Sequence, residues 1–237
     1  MKRAIFGATA AVALLAAGAV SAATVNQQVF ASGDYAGAKA AEAAYLALIA
    51  GTNIKTENFE SLPIQSNTTI STAVGTFEQT VAGQKAGGLR ILDAGTSPFL
   101  GRRDMTNADN SGQWLDSNDS KEVKWTLNFT QTVLSLGFFM TDINDVSASM
   151  TATFANGDST VLSFGGAGGA ANNGEISYVT AFFDMGVKSV TFNVDTRNDG
   201  WGIDDITVSA VPLPAPALML IGGLGALAAV RRKRKSA

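Results

Sequence analysis

From residue 52 to residue 210 the chain is a succession of short segments in which apolar and polar side chains take turns. In the run Val123, Lys124, Trp125, Thr126, Leu127, Asn128, Phe129 every odd position is apolar and every even one polar. A period of two is that of a strand with one face on a core and the other in water. Val190 to Val194 repeats the pattern, and KTENFESLP, VGTFEQTVA, GLRILDA, TVLSLGFFMTD, SASMTATFAN, STVLSFGG, SYVTAFFDM and GIDDITVSA are likewise β-branched and aromatic, separated by Gly, Asn and Asp. This spacing predicts a mainly β fold, an antiparallel two-sheet β-sandwich of jelly-roll type, with a barrel as the alternative. The pairs Phe138-Phe139 and Phe182-Phe183 put one ring on each face of a strand, so one ring of each pair needs cover from a loop, a helix or a partner.

The stretch Ser32 to Ala50, SGDYAGAKAAEAAYLALIA, has a different period. Ser32 and Asp34 are the available N-caps, Tyr45, Leu46, Leu48 and Ile49 share a face at helical spacing, and Gly51 is a stop. One amphipathic helix is expected, serving as a lid on the β-core or as a weakly docked stalk.

The two ends belong to neither pattern. Lys2 and Arg3 precede an apolar stretch from Ala4 to Val20, and Val20-Ser21-Ala22 offers the small residues that signal peptidase requires. At the other end VPLPAP leads into an apolar run from Ala217 to Val230, 14 residues long, closed by Arg231, Arg232, Lys233, Arg234 and Lys235. At ~1.5 Å per residue that run reaches roughly 21 Å, short of a ~30 Å hydrocarbon core. The basic cluster would stay cytoplasmic and hold the rest of the chain outside.

Val211, Pro212, Leu213, Pro214 and Ala215, followed by the apolar run and the basic cluster, closely resemble the VPLPA variety of the PEP-CTERM sorting tail. The resemblance covers this tail only. It implies an exported protein of a Gram-negative envelope, held briefly in the inner membrane and cleaved by an exosortase. The expected organisation is a signal peptide over 1–22, a helical segment over 23–51, the sandwich over 52–210 and the sorting tail over 211–237.

The ends also disguise the charge. Seven of the 17 basic residues lie in them, whereas all 20 acidic residues lie between, leaving ten against twenty and a body of net charge −10. Such a body is a poor partner for nucleic acid or anionic lipid and a reasonable one for calcium.

A second, weaker resemblance concerns the body. TENFESLP, TDINDVSASMTATFANGDS and NDGWGIDDITVSAVPLPA are similar to the lectin-like sandwiches of PEP-CTERM proteins, and GIDDI resembles the last strand of calcium-containing carbohydrate-binding modules. This resemblance implies that the first strand, with its Phe-Glu pair, lies beside the last. Glu60 would then converge with Asp204 or Asp205 on a calcium site, Asp205 being the better ligand because neighbours on a strand face opposite ways. Asp104 to Asp119 and Asp142 to Asp145 are competing acidic clusters, neither of which has the EF-hand pattern; ordinary turn chemistry accounts for most of them. Trp114 and Trp201 stand in polar, glycine-containing surroundings, where an indole either stacks on a sugar ring or packs over the end of the sandwich. The Gly165 to Ala171 loop lacks the GK[ST] ending of a phosphate-binding loop.

With no histidine and no cysteine, Ser-His-Asp and Cys-His catalysis and the usual zinc sites are unavailable, which leaves carboxylate pairs. The sequence therefore reads as a non-enzymatic binding or structural protein of the cell surface or exopolysaccharide. Its expected partners are signal peptidase, the exosortase, extracellular polysaccharide and, before processing, the membrane. The alternatives are a calcium-dependent glycan hydrolase and a permanently anchored envelope protein.

Overall fold

The computed structural model describes residues 23–84, 87–93, 112–128, 132–144, 146–166, 174–195 and 200–210. The signal segment, the sorting motif Val211 to Ala215, the basic cluster and residues 104–111 of the acidic loop lie outside the described residues. Within them the chain forms thirteen strands and one helix, and all strand pairings are antiparallel.

One long strand, β12 (Ile176–Asp195), organises the rest. Its first half pairs with β1 (Ala23–Phe30) on one side and with β9 (Val133–Thr141) on the other. Its second half pairs with β8 (Glu122–Leu127) and β10 (Ser147–Phe154). The first layer continues from β9 to β13 (Gly202–Ser209), whose outer side is shared by β2 (Ile54–Glu57) and β7 (Trp114–Asp116). From β7 the layer passes to β6 (Leu89–Leu92) and β3 (Gln65–Asn67). The second layer runs from β4 (Thr69–Ser71) through β5 (Gly75–Val81), β8, β12 and β10 to β11 (Ser159–Gly165). The segments SYVTAFFDM and KSVTFNVDT, two runs in the sequence, are one strand here because β12 changes partners without ending.

The inner faces form the main core. Phe138 of the first layer meets Phe192 of the second edge-on at 5.6 Å, and Phe154 meets Phe183 at 6.1 Å. Phe77 stacks on Trp125 at 5.3 Å. The expected two-sheet antiparallel sandwich is the fold observed.

The first layer is covered on its outer face as well. Helix α1 (Tyr35–Leu48) begins at Asp34, whose Oδ1 accepts from the Gly37 backbone N–H at 3.0 Å, and the chain leaves it through Gly51 at φ +84°. Ala38, Ala41, Tyr45 and Ile49 pack on Phe139, Ile176, Tyr178 and Trp114. Double coverage explains why β9, VLSLGFFMT, is buried at all nine positions instead of alternating. It also provides the cover that the Phe pairs require: Phe138 and Phe183 face the inner core, while Phe139 and Phe182 lie on the helix side.

The 23–51 segment, expected to be helical, first supplies a strand of the sandwich. Gln27 occupies an inward position in β1 and breaks the apolar alternation. Its amide donates to Asn144 Oδ1 at 2.8 Å and Ser177 Oγ at 2.9 Å, and its carbonyl accepts from Gly165 N–H at 2.8 Å. A buried polar network of this kind has no period for a sequence reading to detect.

Candidate functional site

The helix divides the outer face of the first layer into two flanks. Residues at 100° intervals place Lys39 and Glu42 toward β13 and Ala41, Ala44 and Leu48 toward β1. Tyr45 lies between them.

On the β13 flank, Lys39 Nζ lies 3.0 Å from Asp205 Oδ2 and 2.5 Å from Glu42 Oε2, and 5.4 Å from the centre of the Phe139 ring. Burial alone would lower the Lys39 pKa, but hydrogen bonds to Glu42 and Asp205 outweigh it and the ammonium is held above its ordinary value. Burial pushes the Glu42 carboxyl up, partly offset by its bond to Lys39. Asp205 sits at φ +42° in a bulge of β13, where the register against β9 shifts between Asp204 and Thr207. The bulge turns Asp205 out of strict alternation and toward the helix. With a cation between its carboxylates, this cluster latches α1 to β13.

Beneath the centre of the helix, Tyr45 shares a hydrogen bond with Ser135 at 3.1 Å, and its ring lies 6.1 Å from Tyr178 and 6.0 Å from Phe182. Burial raises both tyrosine pKa values. The rings fit because β9 carries Gly137 below them, where a β-carbon would come within 2.4 Å of Tyr45 Cε1 and 2.6 Å of the Tyr178 hydroxyl.

On the β1 flank a groove of about 660 Å³ opens between the helix and the β1–β12 pair. Ala41, Ala44, Tyr45 and Leu48 form one wall. The floor is laid by the outward residues of the strands, with Thr24 opposite Phe182 and Asn26 opposite Thr180. A shallower depression of about 460 Å³ lies on the second layer near Lys121, Glu122, Ser149 and Asn193.

The residues expected to bind calcium do not assemble. The strand adjacency holds, since β2 pairs with β13 and places Glu57 across from Ile206. Glu60, however, lies beyond the end of β2 on an exposed turn and accepts from the Gln113 backbone N–H at 2.8 Å. Asp204 is buried and accepts from the Asp205 N–H at 2.7 Å, while Asp205 turns to Lys39. Among the described residues no group of three or more Asp, Glu, His or Cys side chains is placed to hold a metal. The carboxylate that sequence reasoning missed is Glu57, which is 4% exposed and accepts from the Phe59 N–H at 2.8 Å and the Ala73 N–H at 2.6 Å. It ties β2 to the turn before β5. Of the competing acidic clusters, Asp116 accepts from the Asn118 N–H at 3.2 Å in turn geometry, whereas Asp142 accepts from the distant Gly174 N–H at 3.4 Å.

The two tryptophans are core residues and present no face to a sugar. Trp114 opens β7 at 1% exposure under the helix, and Trp201 is 0% exposed between the layers, 5.5 Å from Phe192. Gly202 makes the Trp114 position available, as a β-carbon there would lie 2.8 Å from the indole. Polar neighbours in sequence hid both, and Ser117 anchors Trp201 through backbone and hydroxyl bonds of 2.9 and 2.8 Å.

No protein-family model matches the chain, and no curated protein matches it. Among solved structures it is similar to the K2 cleaved adhesin domain of Lys-gingipain, at 16% identity and a TM-score of 0.43, over 66% of this chain and 99% of that one. It is also similar to the CBM22-1 xylan-binding domain from Paenibacillus barcinonensis Xyn10C, at 9% identity and a TM-score of 0.36, over 69% and 97% of the two chains. A family 6 carbohydrate-binding module matches at 12% identity and a TM-score of 0.34, over 68% and 95%. These are partial likenesses of strand arrangement, and what those domains bind is a property of those domains.

Proposed function

We propose that the protein is an exported, non-catalytic β-sandwich that an exosortase releases to the cell surface or the exopolysaccharide, where it serves as a binding or structural component. The observation that carries this reading is the placement of the two ends of the body. Thr24, Phe182, Ser135 and Ser209 occupy one row across β1, β12, β9 and β13. At ~4.8 Å between strands, the point where a signal peptide would be removed and the point where the VPLPA tail begins are about 14 Å apart at the same end of the first layer. Both membrane-directed segments would therefore leave from one end and the body would project from the membrane. Trimming either segment removes no residue of the main core, whose members run from Phe59 to Val208.

The test is intact mass with C-terminal peptide mapping on protein recovered from native cells and medium. A chain starting near Ala23 and ending near the VPLPA motif is expected. A mature chain that still carries Arg231 to Lys235 would overturn the sorting reading in favour of a permanent anchor.

A further inference from the structure

We propose that the groove between α1 and the β1–β12 pair binds an uncharged, extended polyhydroxylated chain, a neutral glycan; the proposal rests on the reading of the protein as a surface or matrix binding component and gives that reading a site. Three features of the groove carry it.

The first is the division of chemistry across the groove. The helix wall and the Phe182 ring offer carbon, and the floor offers hydrogen-bonding groups. Thr24, Asn26 and Gln28 stand on one face of β1 at every second residue, about 6.8 Å apart. All three are exposed, so their amides and hydroxyls are not consumed by the fold. A pyranose has the matching division, with C–H groups on its faces and hydroxyls around its rim, and apolar cavities with a few placed polar groups are the usual form of a ligand site.

The second is charge. Among the described residues, no side chain lining the groove is ionisable at neutral pH. The latch of Lys39, Glu42 and Asp205 lies on the opposite flank of the helix. A body of net charge −10 repels a polyanion at a distance, and none of the described residues lining the groove is a cation that would reverse that. An uncharged ligand meets neither obstacle.

The third is shape. Among the described residues β1 pairs only with β12, so the groove is a half-open cleft that runs beside an edge strand. A chain longer than the cavity can lie in it, whereas an enclosed pocket would select a monomer. The helix wall is fixed in advance by the Tyr45–Ser135 and Lys39–Asp205 bonds, so little ordering is required on binding.

The experiment titrates cellohexaose, mannohexaose and laminarihexaose, with an alginate hexasaccharide and a neutral extended peptide for comparison, into the full-length protein and two variants. Asn26→Ala with Gln28→Ala removes floor amides from exposed positions, and Ala44→Lys fills the groove from an exposed helix position that tolerates lysine. Thermal melts check that both variants fold. At least one neutral hexasaccharide is expected to bind, about tenfold more weakly to the double variant, which loses two hydrogen bonds, and below detection to Ala44→Lys. Neutral-glycan binding that both variants retain would overturn the groove while leaving the binding function standing. Preference for alginate or for the peptide would overturn the ligand class. Binding to none of these probes would overturn the proposal; if the released protein also failed to associate with the native exopolysaccharide, the functional reading would fall with it.

Discussion

Adding a single methyl group at Gly137 should loosen the helix from the sheet. The β-carbon of an alanine there would stand 2.4 Å from Tyr45 Cε1 and 2.6 Å from both Tyr45 Cδ1 and the Tyr178 hydroxyl. Carbon atoms in contact prefer about 3.5–4.0 Å, so each ring would have to retreat by roughly 1 Å. Neither is free to do so, because Tyr45 is bonded to Ser135 and Tyr178 is packed 4.7 Å from Phe139. Overpacking costs ~1–3 kcal/mol, and three contacts this short place Gly137→Ala in the upper part of that range, at about 2–2.5 kcal/mol. The reduced freedom of an unfolded alanine returns about 0.5–1 kcal/mol, leaving a net loss of roughly 1–2 kcal/mol. For a body of this size each kcal/mol is worth ~2–4 °C, so Gly137→Ala should melt about 2–8 °C lower. The sharper test is a double-mutant cycle with Tyr45→Ala followed by urea unfolding. Removing the ring costs about 3 kcal/mol by itself. In its absence the Gly137→Ala penalty should fall by at least half, because only the Tyr178 contact remains. A Gly137→Ala protein as stable as the parent, or an undiminished penalty in the Tyr45→Ala background, would refute the reasoning.

Glu57→Ala leaves the Phe59 and Ala73 N–H groups without their acceptor and should cost about 2–4 kcal/mol in urea unfolding, whereas Glu57→Gln, which keeps one acceptor oxygen, should cost less. Asp205→Ala should destabilise more than Asp205→Asn, since both lose the charge opposite Lys39 but only alanine is strained at φ +42°. The latch also sets an alkaline limit. The Lys39 pKa is raised, so its contribution is complete below the ordinary value of 10.5 and is lost as pH climbs through the higher folded value. Glu42 acts at the acid end: its pKa is also raised, so its contribution is complete below 4.5 and falls as pH rises through its folded value. Melting temperatures across pH should show an alkaline loss that is absent in Lys39→Met; an identical alkaline loss in that variant would place its origin elsewhere.

Strands with one wet face were readable residue by residue, as in Val123 to Leu127, where each odd side chain is inside and each even one outside. Strands with two dry faces were readable as apolar runs, and Phe138-Phe139 announced that the second face would need a cover. The helix that supplies this cover was legible from Asp34 to Gly51 for the same local reasons. Short strands such as β3, β4 and β7 were not, because three residues carry too little pattern, and Gln27 concealed β1 by satisfying an inward position with hydrogen bonds.

The candidate site divides along the same line. Charge type, the absence of histidine and cysteine, the alternation and the terminal motifs are properties of residues and their near neighbours, and the sequence determines them alone. Which aromatics are buried, which carboxylate meets a cation, and where a groove opens depend on pairings between residues that are far apart in the chain. Trp114 lies under a helix that ends at Leu48, and Asp205 reaches Lys39 across 166 residues because a bulge turns it. Only the tertiary structure could decide these, since the energy that fixes them arises from contacts that do not exist until the sheet has closed and the helix has docked.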